Sequence, residues 1–453
     1  MPTSSPTASS FSPSLLHDLI ASALKTGADA AEAVSAERAS LSVGVRNGAL
    51  EDVEREESRD LGLRVFIGKR QATVSASDIS DATRARLVER AVAMARLAPE
   101  DPYAGLAAQD RLCVGPHVEL DLFDPTERSA AELEGVAAEA EAVALAVPGV
   151  ARSEGGHSAT SSSRWRLVTS HGFDGSYAAT AFSLGVGVIA EKDGAMERGG
   201  EHRATRHLAD LPSARTVGAE AARRAVARTG PRKIASTTAP VIFENRVATQ
   251  VLSPLIGAMA GPSVAHGTSF LKDRLGQRVL PEGTNVIDDP FRVRGLGSVP
   301  FDDEGVAVTR RSIIEDGVIA TWLLNSAAGL QLGMASTGHG SRGLAGPPGV
   351  STHNLHLEPG DRDLDGLMSD AGSGLLVTSM FGPSLNANTG DWSAGVSGFW
   401  FDNGVVAYPV SEVTVAGKLI DMYARLQRGS DLEFRGSSNS PSIMFDAVAI
   451  AGK

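Results

Sequence analysis

Apolar positions along the first half of the chain switch between two spacings. In "SLLHDLIASALKT", residues 14–26, Leu15, Leu16, Leu19, Ile20, Ala23 and Leu24 share one helical face, which predicts an opening helix. Alternating runs follow. "SLSVGVRNGALEDVERE" sets Asn47-Gly48 between two of them, a hairpin signal because both residues tolerate positive φ. "GLRVFIGKRQATVSAS" predicts a second hairpin, turning near Gly68-Lys69. Residues 79–97 return to helical spacing, with Ser80 or Asp81 as N-cap. Ala-rich helices are predicted at 126–147 and 213–229. Between them, "RWRLVTSHGFDGSYAATAFSLGVGVIAEKDG" reads as long antiparallel strands turning at Gly172 and Asp193-Gly194.

The stretch "TGPRKIASTTAP", 229–240, reads as a linker. The second half opens with a strand, "PVIFEN", and a helix, "RVATQVLSPLIGAMAG", whose Val247, Val251, Leu252, Leu255, Ile256 and Met259 form a broad apolar stripe. Beyond residue 300, short strands between glycine turns are expected, with helices near 361–369 and 417–426. No tandem repeat is evident. Segregated helices and antiparallel hairpins together predict an α+β protein. Its N-terminal domain, mixed α/β with hairpins, is expected at 15–230. A C-terminal domain rich in antiparallel strands is expected at 235–453, with a helix at 246–260. The Ser/Thr/Pro-rich residues 1–14 lack the basic and apolar regions of a signal peptide and are expected to be a disordered tail.

A formal net charge of −12 disfavours direct nucleic-acid binding. The densest basic patch, "AARRAVARTGPRK" at 221–233, carries no aromatic residue, so Arg223, Arg224 and Arg228 read as a solvated helix face. Cys113 stands alone, which excludes an intramolecular disulfide and Cys-based zinc spacings. No apolar run approaches the length of a membrane span. A cytoplasmic protein is the expectation.

Several strings imitate known chemistry. "GHGSRG", 338–343, matches a dinucleotide fingerprint but leads into "LAGPPGVST", which cannot open a helix, so it reads as a glycine loop. "SFLK" at 269–272 stands after, not before, the "KTG" at 25–27, the reverse of penicillin-recognising enzymes. His353 and His356 lie three apart, and on a strand they would point to opposite faces. His339 is near enough in sequence to join them. "GLGSVPFDDEGVA", 295–307, sets Asp302, Asp303 and Glu304 side by side without the alternating oxygens of a calcium loop. A turn in which Arg292, Arg294, Arg310 or Arg311 pairs with one of these acids is expected.

Long strings taken together carry a resemblance. "LGLRVFIGKRQATVSASDIS", "LGQRVLPEGTNVIDDP", "RGLGSVPFDDEGVAVTRRSIIEDGVIATWLLNSAAGLQLGM", "THNLHLEPG" and "GDWSAGVSGFWFDNGVVAYPVSEVTVAGKLIDM" resemble, in this order, the TldD/PmbA family, and more closely its PmbA (TldE) branch. The resemblance implies a cytoplasmic zinc metalloprotease built as a heterodimer of two branches, acting on unfolded or small polypeptides and peptide-antibiotic precursors. It implies H-E-x-x-x-H on the helix of the catalytic, TldD-like branch, with two zinc-binding histidines and a glutamate base. Here the matching helix reads "VLSPLIGAM": Ser253 and Pro254 stand for the His-Glu pair and Ala258 for the second histidine. The resemblance therefore implies no catalytic or metal residue and no cofactor in this chain, with zinc held by a TldD-like partner.

Within that reading the acidic turn and His353 are expected on a substrate or partner surface. Phe399, Trp400 and Phe401 are candidate partner anchors, with the domain's own core as the alternative. Strands around 380–410 are candidates for gripping extended substrates by an exposed edge. Two other functions stay open. One is a regulatory binding protein of the gyrase-modulator type. The other is a self-sufficient hydrolase built on His339, His353 and His356.

Overall fold

The structure, a computed structural model, describes residues 11–453; most of the tail expected at 1–14 lies outside them. Phe11, inside that expected tail, is instead 7% exposed and packs in the first core, because its ring adds apolar area beside the opening helix. In chain order the first unit is α1 (Leu15–Thr26), β1 (Ala30–Arg46), β2 (Ala49–Ile67), β3 (Arg70–Ala76), α2 (Asp81–Leu97), α3 (Ala130–Leu145), β4 (Val150–Thr169), β5 (Asp174–Lys192), β6 (Ala195–Thr205) and α4 (Ala214–Ala227). Both predicted hairpins are present. Asn47 and Gly48 turn the first with φ of 53° and 75°. Ser80 caps α2 through Thr83 N, and Ser129 with Glu132 forms a capping box at α3.

The strands make one antiparallel sheet in the order β3-β2-β1-β4-β5-β6. The helix–three strands–helix order occurs twice, and the two copies meet at the β1–β4 pair. Sequence shows no such repeat, because only the topology recurs. Ala31 and Ala33 of β1 pack with α1 and α2, and Val43 and Val45 on the same face pack with α3. The helices therefore cover one face. Val34 and Leu167 on the opposite face meet Phe173, Phe301 and Val306, which fastens the second unit to the first.

The second unit continues with β7 (Thr237–Phe243), α5 (Asn245–Ala258), α6 (Gly261–Ala265), β8 (Val286–Asp288), β9 (Arg311–Glu315), β10 (Val318–Ile319), α7 (Ser326–Leu332), β11 (Gly340–Ser341), β12 (Gly349–Val350) and β13 (Leu355–Leu357). It ends with α8 (Leu364–Ala371), β14 (Gly374–Leu385), β15 (Asp391–Asp402), β16 (Val405–Lys418), α9 (Leu419–Tyr423), β17 (Gln427–Arg428), β18 (Ser438–Asn439) and β19 (Ile443–Ala451). Its larger sheet runs β16-β15-β14-β7-β19-β17, and β16 also pairs with β19, so the ladder returns on itself. Val241, Phe243, Leu375, Val377 and Phe445 pack with the apolar stripe of α5. A smaller sheet, β10-β9-β8-β13-β18, carries the histidine region.

Two expectations are corrected here. Strands β14, β15 and β16 span 12, 12 and 14 residues rather than short pieces, because bulges at Val377/Ser379 and Val396/Gly398 absorb the glycine-marked irregularities. The linker at 229–240 is docked rather than free: Arg232 bridges to Val410, and β7 has begun by Thr237.

Candidate functional site

The acidic triplet is not solvated. Asp302 is 2% and Glu304 4% exposed, because the turn is pressed between the first sheet and the glycine loop. Asp302 accepts from Glu304 N at 2.9 Å, Val306 N at 2.8 Å and Gly340 N at 2.9 Å. Asp303 accepts from Arg342 N at 2.9 Å, and Glu304 from Ser326 N at 2.7 Å, at the start of α7. Backbone amides thus replace the arginines expected from sequence. Arg294 pairs instead with Asp121 at 2.6 Å, Arg310 with Asp289 at 3.6 Å, Arg311 donates to Thr309, and Arg292 lies over the Phe434 ring. The fit is tight, since a Cβ on Gly340 would stand 2.8 Å from Glu304 Cγ and 2.9 Å from Asp302 Oδ2. Burial pushes all three carboxyls upward, Asp302 further through Glu304, and Asp303 to about 6.

The turn's surroundings cross both units. Arg342, buried in the glycine loop, pairs with Glu32 of β1, which also holds Arg64 of β2 at 3.1 Å. Gln71 of β3 accepts from Arg64 Nε at 2.9 Å. Sequence reasoning passed over Glu32 and Arg64. The available signal was a charge inside the apolar strands "AAEAV" and "LGLRVF".

His339 and His353 do converge, on a residue that sequence reasoning also missed. Asp288 Oδ2 accepts from His339 Nε2 at 3.0 Å and from His353 Nδ1 at 2.6 Å, while Oδ1 accepts from His353 N at 2.8 Å. His339 is 1% and His353 7% exposed, so His353 is buried rather than on the surface expected for it. Burial pushes the Asp288 carboxyl up, but its two histidine hydrogen bonds outweigh that and hold it below the ordinary range. Burial pushes His339 below the usual imidazole range. His356 stands apart, its ring edge-on to Phe434 at 5.2 Å. Asp288, His339 and His353 offer metal-type donors within 4.8 Å of one another. At 2.6 and 3.0 Å both histidines are hydrogen-bonded to the same oxygen, Asp288 Oδ2.

Helix α5 does not fit zinc. Ser253 is exposed, donates to Thr249 O at 2.8 Å and lines a cavity of about 190 Å³ with Thr352, Leu355 and Asn439. Ala258 is buried in the core. Neither a serine hydroxyl bonded to its own helix nor an alanine methyl is a zinc-ligand type of this motif. Pro254 sits inside the helix and removes one backbone donor.

Among the aromatic candidates the core alternative holds for Phe401. Phe401 is 0% exposed and packs with Ile242, Leu376 and Met444, because its position on β15 faces α8. Trp400 packs against the main core and Phe399 against the α8 side, both half-buried. Among the described residues no helix is long and apolar enough to cross a membrane.

Three family models, described as PmbA/TldA metallopeptidase domain 1, central domain and C-terminal domain, match residues 31–95, 123–229 and 236–452. The chain belongs to the PmbA/TldD metallopeptidase family. The first two models divide the six-stranded sheet between the two topological copies. Metalloprotease PmbA of Escherichia coli O157:H7 is 37% identical, covering 97% of this chain and 96% of its own. The PmbA homolog of Haemophilus influenzae is 35% identical over 95% and 94%. A solved structure described as a proposed modulator of DNA gyrase from Bacteroides thetaiotaomicron superposes with a TM-score of 0.89 at 25% identity, covering 97% and 98%. TldE of Thermococcus kodakarensis shares the fold, with a TM-score of 0.86 at 20% identity over 97% and 100%.

Proposed function

We propose that this chain is the non-catalytic subunit of a cytoplasmic, two-subunit metallopeptidase, whose zinc sits in a TldD-like partner. The observation that carries this reading is α5, where Ser253, Pro254 and Ala258 offer neither a zinc ligand nor a general base. Burial of the other ligand-type groups supports it. Asp288, His339 and His353 satisfy one another, and the acidic turn is sealed under the first sheet. In this role the chain completes a substrate chamber for unfolded peptides and peptide-antibiotic precursors.

Cleavage of casein by this chain alone, by the partner alone, and by both with and without a chelator tests the reading. The expected result is cleavage only with the partner present, abolished by chelation. Chelator-sensitive cleavage by this chain alone would overturn it and favour a hydrolase at His339 and His353.

A further inference from the structure

A roomy cavity lies away from these residues. It measures about 740 Å³ and opens between α4 with the outer strands of the first sheet and the β14–β15 side of the second unit. Its walls carry Arg198, Arg223, Arg224, Arg228 and Arg246, against the carboxylates of Glu154 and Glu244. The sequence suggested a solvated helix face at 221–233. Arg224 is instead 9% exposed, since α4 turns that side toward the second unit.

Most of these guanidiniums have a carboxylate. Arg198 meets Glu154 at 2.8 Å, Arg246 meets Glu244 at 2.6 Å, Arg223 and Arg224 share Glu220 at 2.7 Å each, and Arg224 also pairs with the buried Glu201. Arg228 has no ion pair among the described residues; its Nη1 donates to Arg198 O at 3.1 Å and its buried Nε has no partner. The arginines also repel one another. Burial and then Arg246 lower Arg224 to about 10; burial also lowers Arg228, with Glu197 acting against it and Arg246 with it. Thr378 Oγ1, on the opposite wall, is buried without a partner.

The opposite wall also contains an unused strand edge. Strand β14 pairs with β7 only over Leu375–Val377 and continues to Leu385 paired with β15 alone. From Thr378 onward its other edge has no strand partner among the described residues. Leu376, Phe399 and Val406 supply apolar wall beside it. One wall guanidinium without an ion pair among the described residues, Arg228, beside a free edge and an apolar strip, matches an extended chain with acidic side chains, not a compact anion.

We propose that this cleft binds an extended peptide segment rich in Asp and Glu, laid along the free edge of β14 with its carboxylates toward Arg228 and Arg246. The proposal deepens the reading of the chain as a substrate-admitting subunit and names the peptide class it admits.

The test uses the full chain and fluorescence anisotropy, with a fluorescein-labelled peptide alternating Glu and Ala. Its Gln-for-Glu analogue and inorganic triphosphate serve as comparisons. Binding of the acidic peptide is expected to exceed that of the analogue by about tenfold or more and to weaken with salt. Arg228→Gln is expected to reduce it by about tenfold. Val406→Glu, at the exposed rim, should act in the same direction with the fold undisturbed, which guards against a misfolded arginine variant. Equal affinity for both peptides, no effect of either variant, or saturable triphosphate binding without peptide binding would each overturn the proposal. No cleavage or zinc enters this readout. Peptide binding can therefore fail while partner-dependent cleavage stands, and the reverse is equally visible.

Discussion

Glu32 and Arg342, 310 residues apart in the chain, form a buried ion pair that joins the first sheet to the glycine loop of the second unit. Arg64 shares the same Glu32 oxygen at 3.1 Å. Removing one member strands charge in the interior, and Arg64 compensates only in part. Arg342→Met is therefore expected to cost about 3 kcal/mol. Urea unfolding of the full chain measures it. A loss below about 1 kcal/mol would show that water already solvates this pair.

Asp303 makes stability depend on pH in an unusual direction. Burial raises its folded pKa to about 6 from 3.8, so the folded chain holds this proton more tightly than the unfolded one. That contribution is complete below 3.8 and is lost as pH rises through about 6. Asp303→Asn should keep the carbonyl that accepts from Arg342 N and remove the titration. Relative to the parent, the variant is expected to gain about 2 kcal/mol between pH 4 and pH 7. Unfolding curves at both pH values check the sign, and a relative loss over that interval would contradict it.

Asp288 orders both histidines. Asp288→Ala leaves two buried ring N–H groups without an acceptor, at an expected cost of about 3 kcal/mol. In the parent chain, nitrogen-15 NMR should find His339 still neutral below the pH at which an exposed imidazole half-titrates, because burial disfavours its cation. A raised His339 titration would mean that the pull of Asp288 outweighs burial.

Phe301 is the apolar counterpart of the Glu32 pair. It is 1% exposed, with ring centroids 4.9 Å from Phe173 and 5.7 Å from Tyr177 in the first unit. Phe301→Ala is expected to cost about 3 to 4 kcal/mol in urea unfolding.

Local signals in the sequence translated well into structure. Asn47-Gly48 and the Ser80 cap act within a few residues, and each lies where periodicity and turn chemistry put it; the helix expected from 126 begins only at Ala130, behind a Ser129–Glu132 capping box that periodicity alone does not show. What crosses the chain was not legible. Arg342 meets Glu32 and Arg64 only after the two units pack, and nothing local marks Asp288 until β8 and β13 bring it to His353. Arg224 spaced as a surface residue becomes a cavity wall for the same reason.

The most direct test is to combine this chain with a TldD-like partner whose H-E-x-x-x-H motif has been disabled by Glu-to-Gln and His-to-Ala changes, then follow casein cleavage while measuring zinc per complex. The account predicts no cleavage and no zinc above background, with activity restored when intact partner replaces the disabled one. Zinc-dependent cleavage by the disabled pair would place the chemistry in this chain and contradict the account.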